Sequence, residues 1–332
     1  MPSSPYMSYF NGKRILITGA SGYLATKLVS SLAGVPCAII RLSRNKTLSP
    51  VKGKFTISNL NGDIRDSKVW KLAIDKKLDI IYHFSGQSSV YKAEEDPFAD
   101  LENNVFPMLR MLESCRDLDC KPIIVFAGTE TEVGMHETLP VNETFTDHPI
   151  TLYDLHKLMA ENYLKLFCRQ GYINGVSLRL ANVYGPGPKP KNSDRGVLNQ
   201  MIRKALAGDP LTIYGTGKFT RDYIFIDDVI DAFLSVPMNS SQMNGRHFII
   251  GSGVGNSVAQ AINLVADRVR EKKGASVLVK HVPAPSNLSP IESRNFIADC
   301  EEFKQVTGWK PKYSLEKGID LTLEKYSSDV TE

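Results

Sequence analysis

The sequence predicts an α/β fold in which a doubly wound parallel sheet is joined to a smaller C-terminal lobe. Short apolar segments alternate with helical patterns in the first half of the chain, as in successive strand–helix–strand units. The segments are continuously apolar rather than alternating, which is typical of strands covered on both faces. The predicted strands span residues 14–18, 37–41, 57–61, 79–84, 122–127 and 176–180.

The first predicted strand leads into a glycine turn with the pattern Gly-x-x-Gly-x-x-Ala, formed by Gly19, Gly22 and Ala25. Gly19 permits a turn too tight for a Cβ, Gly22 lets backbone N–H groups approach a pyrophosphate, and Ala25 lets the helix pack on the strand. The positive end of the helix dipole then faces the phosphates. Because the motif lies between a strand and a helix, it predicts a Rossmann-type dinucleotide-binding domain.

We divide the chain into a loose N-terminal extension (1–12), an NAD(P)-binding domain (13–182) and a lobe (183–332) that mainly binds substrate. The lobe is placed where the pattern becomes irregular and rich in glycine and proline. A strand near 247–250 is predicted to return to the large sheet. The predicted helices span residues 98–115, 153–170, 195–207, 227–236, 258–270 and 315–325.

Composition excludes several classes of protein. The net charge of +4 is too small, and the lysines too scattered, to predict nucleic-acid binding. Five cysteines without a C-x-x-C pattern, and no secretory leader, predict reduced thiols and a cytoplasmic protein. No apolar run approaches the ~20 residues that span a bilayer, and no His/Cys/Asp cluster has the spacing of a metal site.

Arg41 ends the second predicted strand, which in this fold lies beside the adenosine ribose of the dinucleotide. An Asp or Glu there selects NAD, whereas guanidinium groups pair with phosphate through forked, charge-assisted hydrogen bonds. With Ser43 and Arg44 just after it, Arg41 predicts NADP. The alternative is NAD, with Arg41 a surface residue at a strand end and another group holding the ribose.

Tyr153 and Lys157 form a Tyr-x-x-x-Lys pattern on a predicted helix. Residues four apart lie one turn apart on the same face, so the ammonium can stabilise the phenolate and lower its pKa from about 10. Thr129, at the end of the fifth strand, can hydrogen-bond a reacting hydroxyl. The three residues predict a catalytic triad at the carboxyl end of the sheet, the alternative being a helix with two unrelated residues.

With these motifs the chain resembles an extended short-chain dehydrogenase/reductase of the NAD(P)-dependent nucleotide-sugar epimerase/dehydratase family. The likeness extends from about residue 12 to residue 325, and its most specific part is 211–217 followed by 221–229. The other matching segments are residues 18–25, 62–66, 83–90 and 178–186.

The resemblance implies further site residues. Besides Arg41, Ser43 and Arg44, it assigns to the cofactor Gly19, Ser21, Gly22, Tyr23, Leu24, Asp63, Ile64, Phe84, Ser85, Gly86, Asn104, Tyr153 and Lys157. It assigns to a nucleotide-diphosphate sugar Ser88, Thr129, Glu130, Asn182, Leu198, Arg221 and Arg294. Asn182, Arg221 and Arg294 are expected at the diphosphate.

Several activities stay open at this stage. Hydride transfer at C4 of a nucleotide-linked hexose suits an epimerase or an NADPH-dependent 4-ketosugar reductase. A 4,6-dehydratase needs a carboxylate base after the active-site threonine, but Thr131 stands at that position, so Glu130 or Glu132 would have to serve. These two glutamates are equally well interpreted as surface carboxylates. A non-catalytic nucleotide-sensing protein is the alternative from another class.

The resemblance also implies a homodimer, with helices 98–115 and 153–170 pairing with their copies in a four-helix bundle. The alternative is that the apolar residues of these helices only cover the sheet. The residues on which the expectation depends are Met108, Met111, Leu112, Leu155, Leu158 and Met159.

Overall fold

The computed structural model describes residues 6–188 and 196–328. The strands of this part are β1 (Arg14–Thr18), β2 (Ala38–Ser43), β3 (Thr56–Asn61), β4 (Ile80–His83), β5 (Ile123–Thr129), β6 (Asn174–Leu180), β7 (Asn182–Tyr184), β8 (Leu211–Tyr214), β9 (Thr220–Phe225), β10 (Arg246–Ile250), β11 (Gly255–Ser257) and β12 (Val279–Val282). The helices are α1 (Tyr23–Ser31), α2 (Ser67–Ala73), α3 (Val90–Glu95), α4 (Pro97–Asn104), α5 (Phe106–Asp117), α6 (Leu152–Arg169), α7 (Val197–Leu206), α8 (Ile226–Met243), α9 (Val258–Lys273), α10 (Glu301–Thr307) and α11 (Leu315–Ser328).

A seven-stranded parallel sheet forms the centre of the molecule, in the order β3-β2-β1-β4-β5-β6-β10. Helices α2, α5 and α6 cover one face, and α1 and α8 cover the other, so the inner strands are buried on both sides, whereas the edge strand β3 is largely exposed. The predicted doubly wound α/β fold is confirmed. The strand order reverses between β1 and β4, where folds of this kind bind ligands at the carboxyl ends of the strands.

The later part of the chain adds two small sheets, β11-β9-β7 and β12-β8, packed with α7, α9 and α11. Strand β10 lies in the large sheet instead, parallel to β6. The predicted helix 195–207 includes Arg195, which lies outside the described residues, and α7 begins at Val197. The lobe boundary at residue 183 stays a prediction.

The N-terminal residues 6–12 are not a loose extension. Phe10 is fully buried, and the hydroxyl of Tyr6 donates a hydrogen bond to the carbonyl of Thr307 at 3.3 Å. The two aromatic side chains anchor the segment on the core. Residues 1–5 of the predicted extension lie outside the described residues.

The helix predicted over 98–115 is two helices, α4 and α5. Pro107 stands at the start of α5, and because proline lacks an N–H and clashes with the carbonyl four residues earlier, it cannot continue α4. Helix α8 is longer than predicted and tolerates Pro237 in its interior. The short helix α3 was not predicted. Among the described residues, no helix is long and apolar enough to cross a membrane.

Candidate active site

The glycine turn packs directly against the end of β4. Gly19 has a φ of +64°, and a Cβ there would lie 3.0 Å from the nitrogen of Ser85. The hydroxyl of Thr18 accepts hydrogen bonds from the N–H groups of Phe84 and Ser85, both at 3.1 Å. The structure therefore brings Gly19, Phe84 and Ser85 together, and Gly86 and the exposed Ser88 follow in the same loop.

Gly22 precedes the first residue of α1, and its N–H donates to the carbonyl of Gly19 at 2.7 Å. A Cβ at Gly22 would lie 2.9 Å from that same oxygen, so a side chain would open the turn. The open backbone at a helix N-terminus fits the pyrophosphate of a dinucleotide. Ser21 lies in this turn, while Leu24 packs against the core.

Tyr23 ties the glycine turn to the segment that follows β7. Its hydroxyl donates to the carbonyl of Gly185 at 2.9 Å and accepts from Nδ2 of Asn199 at 3.4 Å. A Cβ on Gly187 would lie 2.3 Å from the tyrosine ring. The hydroxyl of Tyr23 is thus engaged within the protein.

The premise of the Arg41 prediction is wrong, because Arg41 does not end β2. The strand continues to Ser43 through its pairing with β3. Arg41 is only 5% exposed, and its guanidinium donates to Oδ1 of Asn59 at 2.8 Å and to the carbonyl of Ser49 at 2.9 Å. Ser43 closes the strand, with its hydroxyl 3.3 Å from that of Ser21, and Arg44 follows in the open.

The loop after β3 and the end of α4 hold three more residues assigned to the cofactor, Asp63, Ile64 and Asn104. Asp63 forms an ion pair with Arg65 at 2.7 Å, and the hydrogen bonds from Arg65 lower the pKa of Asp63. The buried Ile64 offers its carbonyl to the indole N–H of Trp70 at 2.7 Å. Oδ1 of Asn104 is buried with no hydrogen-bond partner among the described residues, and it would lie 2.6 Å from a Cβ on Gly86.

Helix α6 brings Tyr153 and Lys157 to the end of β5. The Thr151 hydroxyl caps the helix by accepting the N–H of Asp154 at 3.2 Å. Nζ of Lys157 donates to the carbonyl of Ala127 at 2.6 Å, two residues before Thr129 at the end of β5. Tyr153 lies one turn before Lys157 and is 9% exposed. The three residues of the predicted triad therefore belong to two elements that contact each other at this edge.

Lys157 is a buried ammonium, 7% exposed, with its Nζ 3.9 Å from the centre of the Phe126 ring. Burial lowers its pKa to about 8, although the nearby carboxylates of Glu132, Glu161 and Asp100 act to raise it. A pKa of about 8 leaves most of the lysine charged at neutral pH.

Asp100 organises a buried network beside this helix. Its carboxylate accepts from Nε2 of Gln87 at 2.7 Å and from Nδ2 of Asn104 at 2.9 Å, and it lies 2.7 Å from Nδ1 of His156. Sequence reasoning missed Asp100. The only available signal was the spacing of Asp100 and Asn104 by one helical turn.

Glu130 and Glu132 are not surface carboxylates, since they are 2% and 0% exposed. The 3-10 helix Glu130–Val133 turns both side chains into the protein. Nε of Arg294 lies 3.2 Å from each oxygen of Glu130, and its Nη2 lies 2.6 Å from one of them. Glu132 pairs instead with Arg179, at 3.1 Å, and accepts the N–H of Thr129 at 2.9 Å.

Two arginines meet beside this loop. Nη2 of Arg221 donates to the carbonyl of Glu292 at 2.7 Å, and its Nη1 donates to the carbonyl of Arg294. Burial, and then the charge of Arg294, lower the pKa of Arg221. Glu130 pairs with Arg294 at 2.6 Å, whereas the half-exposed Glu292 carboxylate is 3.5 Å from Arg221, so Arg221 is the less compensated of the two guanidiniums.

Asn182 lies on β7 and pairs with Tyr223 of β9, and Tyr223 is two residues after Arg221 in the chain. Its Oδ1 is buried and has no hydrogen-bond partner within residues 6–188 and 196–328. Leu198 is 4% exposed and belongs to the hydrophobic core. In the described part of the chain, no group of three or more His, Cys, Asp or Glu side chains could hold a metal ion.

A parallel sheet with a glycine turn at β1 and a Tyr-x-x-x-Lys helix beside β5 defines an extended short-chain dehydrogenase/reductase. The chain belongs to the NAD dependent epimerase/dehydratase family, whose model matches residues 15–251.

Individual relatives cover nearly the whole chain. A UDP-glucose 4-epimerase of Mycolicibacterium smegmatis is 28% identical over 316 residues, which are 94% of this chain and 97% of the relative. A dTDP-glucose 4,6-dehydratase of Xanthomonas campestris is 26% identical, over 95% of this chain and 93% of the relative. The structure is similar to UDP-glucose 4-epimerase from Thermotoga maritima with UDP-glucose, with a TM-score of 0.81 and 27% identity over 96% and 99% of the two chains. These relatives of one family catalyse different reactions.

Proposed function

We propose that the chain is an enzyme that transfers hydride at C4 of a nucleoside-diphosphate hexose, with epimerisation at C4 as its reaction. The observation that supports this most is the anchoring of Lys157 on the end of β5, which holds the Tyr-x-x-x-Lys turn beside Thr129. The glycine turn lies at the carboxyl edge of the same sheet. The residues proposed for proton transfer and those proposed for cofactor binding therefore lie at the same carboxyl edge of the large sheet.

In this proposal each residue of the triad has one task. Tyr153 exchanges the proton of the C4 hydroxyl as a general acid/base. Lys157 stabilises the phenolate by its charge and reaches the ribose of the cofactor. Thr129 orients the substrate oxygen through its hydroxyl. A bound nicotinamide would supply the hydride acceptor, and the open backbone at Gly19 and Gly22 fits such a dinucleotide.

The diphosphate would bind at Arg221, Arg294 and Asn182. Arg294 is already paired with Glu130, whereas the carboxylate near Arg221, that of the half-exposed Glu292, is 3.5 Å away, so a diphosphate can add charge compensation mainly at Arg221. The unpartnered Oδ1 of Asn182 belongs to a side-chain amide whose N–H₂ could donate to a phosphate oxygen.

We propose NADP as the cofactor, with Ser43 and Arg44 in place of Arg41 as the main support. Ser43 ends β2, so this position has no carboxylate that would repel a 2′-phosphate. Arg44 follows Ser43 and its charged side chain is exposed. NAD is the alternative, and the family is described as NAD dependent.

The dehydratase is less well supported than the epimerase, because both candidate carboxylates are already in ion pairs. Glu130 is held by Arg294, and Glu132 by Arg179. The 4-ketosugar reductase uses the same triad and differs in consuming NADPH. A non-catalytic nucleotide sensor is disfavoured because the chain keeps Tyr153 and Lys157.

Incubation of the purified protein with NAD or NADP and a panel of UDP- and dTDP-hexoses tests the proposal. We expect a product of unchanged mass whose NMR spectrum identifies the C4 epimer. Loss of one water would identify a dehydratase, and NADPH oxidation with a 4-ketosugar would identify a reductase. Failure of every sugar nucleotide to react would contradict the proposal.

We also propose a homodimer through α4, α5 and α6, on residues that overlap only in part with those first chosen. Met108, Met111 and Leu112 are fully buried against the sheet and cannot reach a second copy. Leu155, which was among the residues first chosen, is exposed on these helices together with Phe98, Phe106 and Leu166, of which Phe98 is 80% exposed. Sedimentation should give twice the 36.9 kDa chain mass, and a monomer at micromolar concentration would contradict the proposal.

A further inference from the structure

We propose that His83 is a positioning residue for the dinucleotide, because its Nδ1 accepts the proton of the Thr18 hydroxyl and thereby fixes the loop after β4 against the glycine turn. The inference rests on the proposed function, in which a dinucleotide binds at these two segments. It assigns a role to a buried histidine that the proposed chemistry does not otherwise use. It also predicts one tautomer for His83, which is neutral and carries its proton on Nε2.

Thr18 and His83 are the last residues of two neighbouring strands. Thr18 ends β1, His83 ends β4, and the two residues pair in the parallel sheet. The strand order reverses between these strands, so both residues lie where folds of this kind bind their ligands. Both side chains are buried, and a buried polar atom is normally hydrogen-bonded.

The hydroxyl of Thr18 has three polar neighbours. It accepts the N–H groups of Phe84 and Ser85, each at 3.1 Å, and it lies 3.0 Å from Nδ1 of His83. A hydroxyl has one proton and two lone pairs. Because the two N–H groups use both lone pairs, the proton is left for Nδ1, which is the one acceptor within hydrogen-bond distance of this hydroxyl in residues 6–188 and 196–328.

This hydrogen bond decides the protonation of the His83 ring. A nitrogen that accepts a hydrogen bond carries no proton, so the neutral imidazole has its proton on Nε2. Burial, and then the charge of Lys157 on α6, lower the pKa of His83 to about 3, which agrees with a neutral ring. The aromatic rings that contact it, Trp70 of α2 and Phe126 of β5, carry no charge.

The two N–H groups belong to the backbone that packs on the glycine turn. A Cβ on Gly19 would lie 3.0 Å from the nitrogen of Ser85 and 3.1 Å from the carbonyl of Phe84. The Thr18 hydroxyl therefore sets the spacing of the two segments that the proposed dinucleotide contacts. His83 sets the orientation of that hydroxyl, because taking its proton leaves both lone pairs directed at the N–H groups.

The tautomer of His83 is measured first, in the protein alone. Long-range ¹H–¹⁵N NMR of ¹⁵N-histidine-labelled protein separates protonated from unprotonated ring nitrogens. The chain has six histidines, and the variant His83→Asn identifies the resonances of His83. We expect a protonated Nε2 and an unprotonated Nδ1 at neutral pH. A protonated Nδ1, alone or in an imidazolium, would overturn the inference.

The second experiment compares Thr18→Val, His83→Leu, His83→Asn and the control His247→Leu with the wild type. Thr18→Val removes the hydroxyl and keeps the branched shape. His83→Leu removes the acceptor, whereas His83→Asn keeps an acceptor oxygen near the position of Nδ1. His247 lies in the same sheet on the edge strand β10, with its Nδ1 2.7 Å from Nζ of Lys165. Calorimetry gives the dissociation constants of NAD and NADP, and thermal unfolding gives the melting temperatures.

Thr18→Val leaves two N–H groups without their acceptor, so the dissociation constant of the dinucleotide should rise about tenfold or more. His83→Leu should raise it about five- to tenfold, and His83→Asn should return it to within about twofold of the wild type. Wild-type affinity in His83→Leu would overturn the inference, and so would an Asn variant that binds no better than the Leu variant.

The control separates positioning from general destabilisation. Both leucine variants remove a polar side chain from the large sheet and should lower the melting temperature. Only His83→Leu should weaken dinucleotide binding, and an equal loss of affinity in His247→Leu would contradict the inference.

The NMR measurement on the wild type carries the test if the Thr18 and His83 variants do not fold. The His83 resonances are then assigned by substituting the other five histidines one at a time. If the wild type binds neither NAD nor NADP, the proposed function fails at the cofactor, and the tautomer still decides whether Thr18 donates to His83.

Discussion

The proposed cofactor side and the proposed substrate side of this site are built in different ways. The cofactor side depends on backbone geometry, with Gly19 packed against the residues that follow β4 and Gly22 close to the carbonyl of Gly19. The substrate side depends on buried ion pairs between distant parts of the chain, such as Glu130 with Arg294. The residues of the cofactor side can be recognised from the local sequence. Those of the substrate side are paired with residues that are distant in the sequence and come close only in the folded protein.

An arginine at a position expected to bind an anion can already be hydrogen-bonded within the protein before any ligand binds. Arg41, Arg221 and Arg294 all fit a role in anion binding by their position in the sequence. In the structure each guanidinium bonds to the protein itself. Their contribution to binding must therefore be separated from their contribution to stability, and substitutions can do this.

The largest effect is expected at the junction of the two sides, where Tyr153 would transfer the proton. Tyr153→Phe keeps the ring and removes the acidic proton, so kcat should fall roughly 10²–10⁴-fold while sugar-nucleotide binding persists. Steady-state kinetics and a binding titration measure the two quantities. If kcat stayed near the wild-type value, the triad assignment would be wrong.

The two buried arginines should behave differently when removed. Arg294→Ala leaves Glu130 as an unpaired buried anion, and breaking such a pair typically costs about 3–5 kcal/mol of stability. Arg221→Ala leaves mainly carbonyl groups unpaired, so its principal effect should be a raised KM with kcat nearly unchanged. Chemical denaturation and kinetics of both variants separate these expectations. Equal losses of stability in the two variants would contradict the distinction.

A smaller effect is expected at the ribose end of the cofactor side. Arg44→Ala should weaken NADP binding about ten- to a hundred-fold, the ~1.5–3 kcal/mol typical of hydrogen bonds to a charged group. Arg41→Ala should instead lower stability, because it removes a buried side chain and its hydrogen bonds to Oδ1 of Asn59 and to the carbonyl of Ser49. Fluorescence titrations of NADP and NAD measure the affinities. Tighter binding of NAD than of NADP to the wild type would reject the cofactor proposal.

Local patterns predicted the parts of the molecule that depend on neighbouring residues. The parallel sheet and the glycine turn are of this kind, because strand, turn and helix follow one another in the sequence. The end of β2 was missed because the apolar run stops at Arg41, whose charge hid the fact that the residue is buried.

The ion pairs could not be predicted, because they join residues far apart in the chain. Glu130 lies in the loop after β5, and Arg294 lies before α10. No sequence pattern in either segment indicates that the two residues form a pair. Arg179 likewise meets Glu132 only because β5 and β6 pair in the sheet. The same contacts decided against the interpretation of Glu130 and Glu132 as surface residues.

The fate of the hydrogen on C4 tests the central claim most directly. The protein is incubated with its cofactor and a nucleotide-linked hexose deuterated at C4, and the products are followed by NMR. We predict that the C4 epimer forms and keeps deuterium at C4, because hydride leaves and returns within one active site. A sugar that shows no change at C4, or a product that has lost water, would contradict the account.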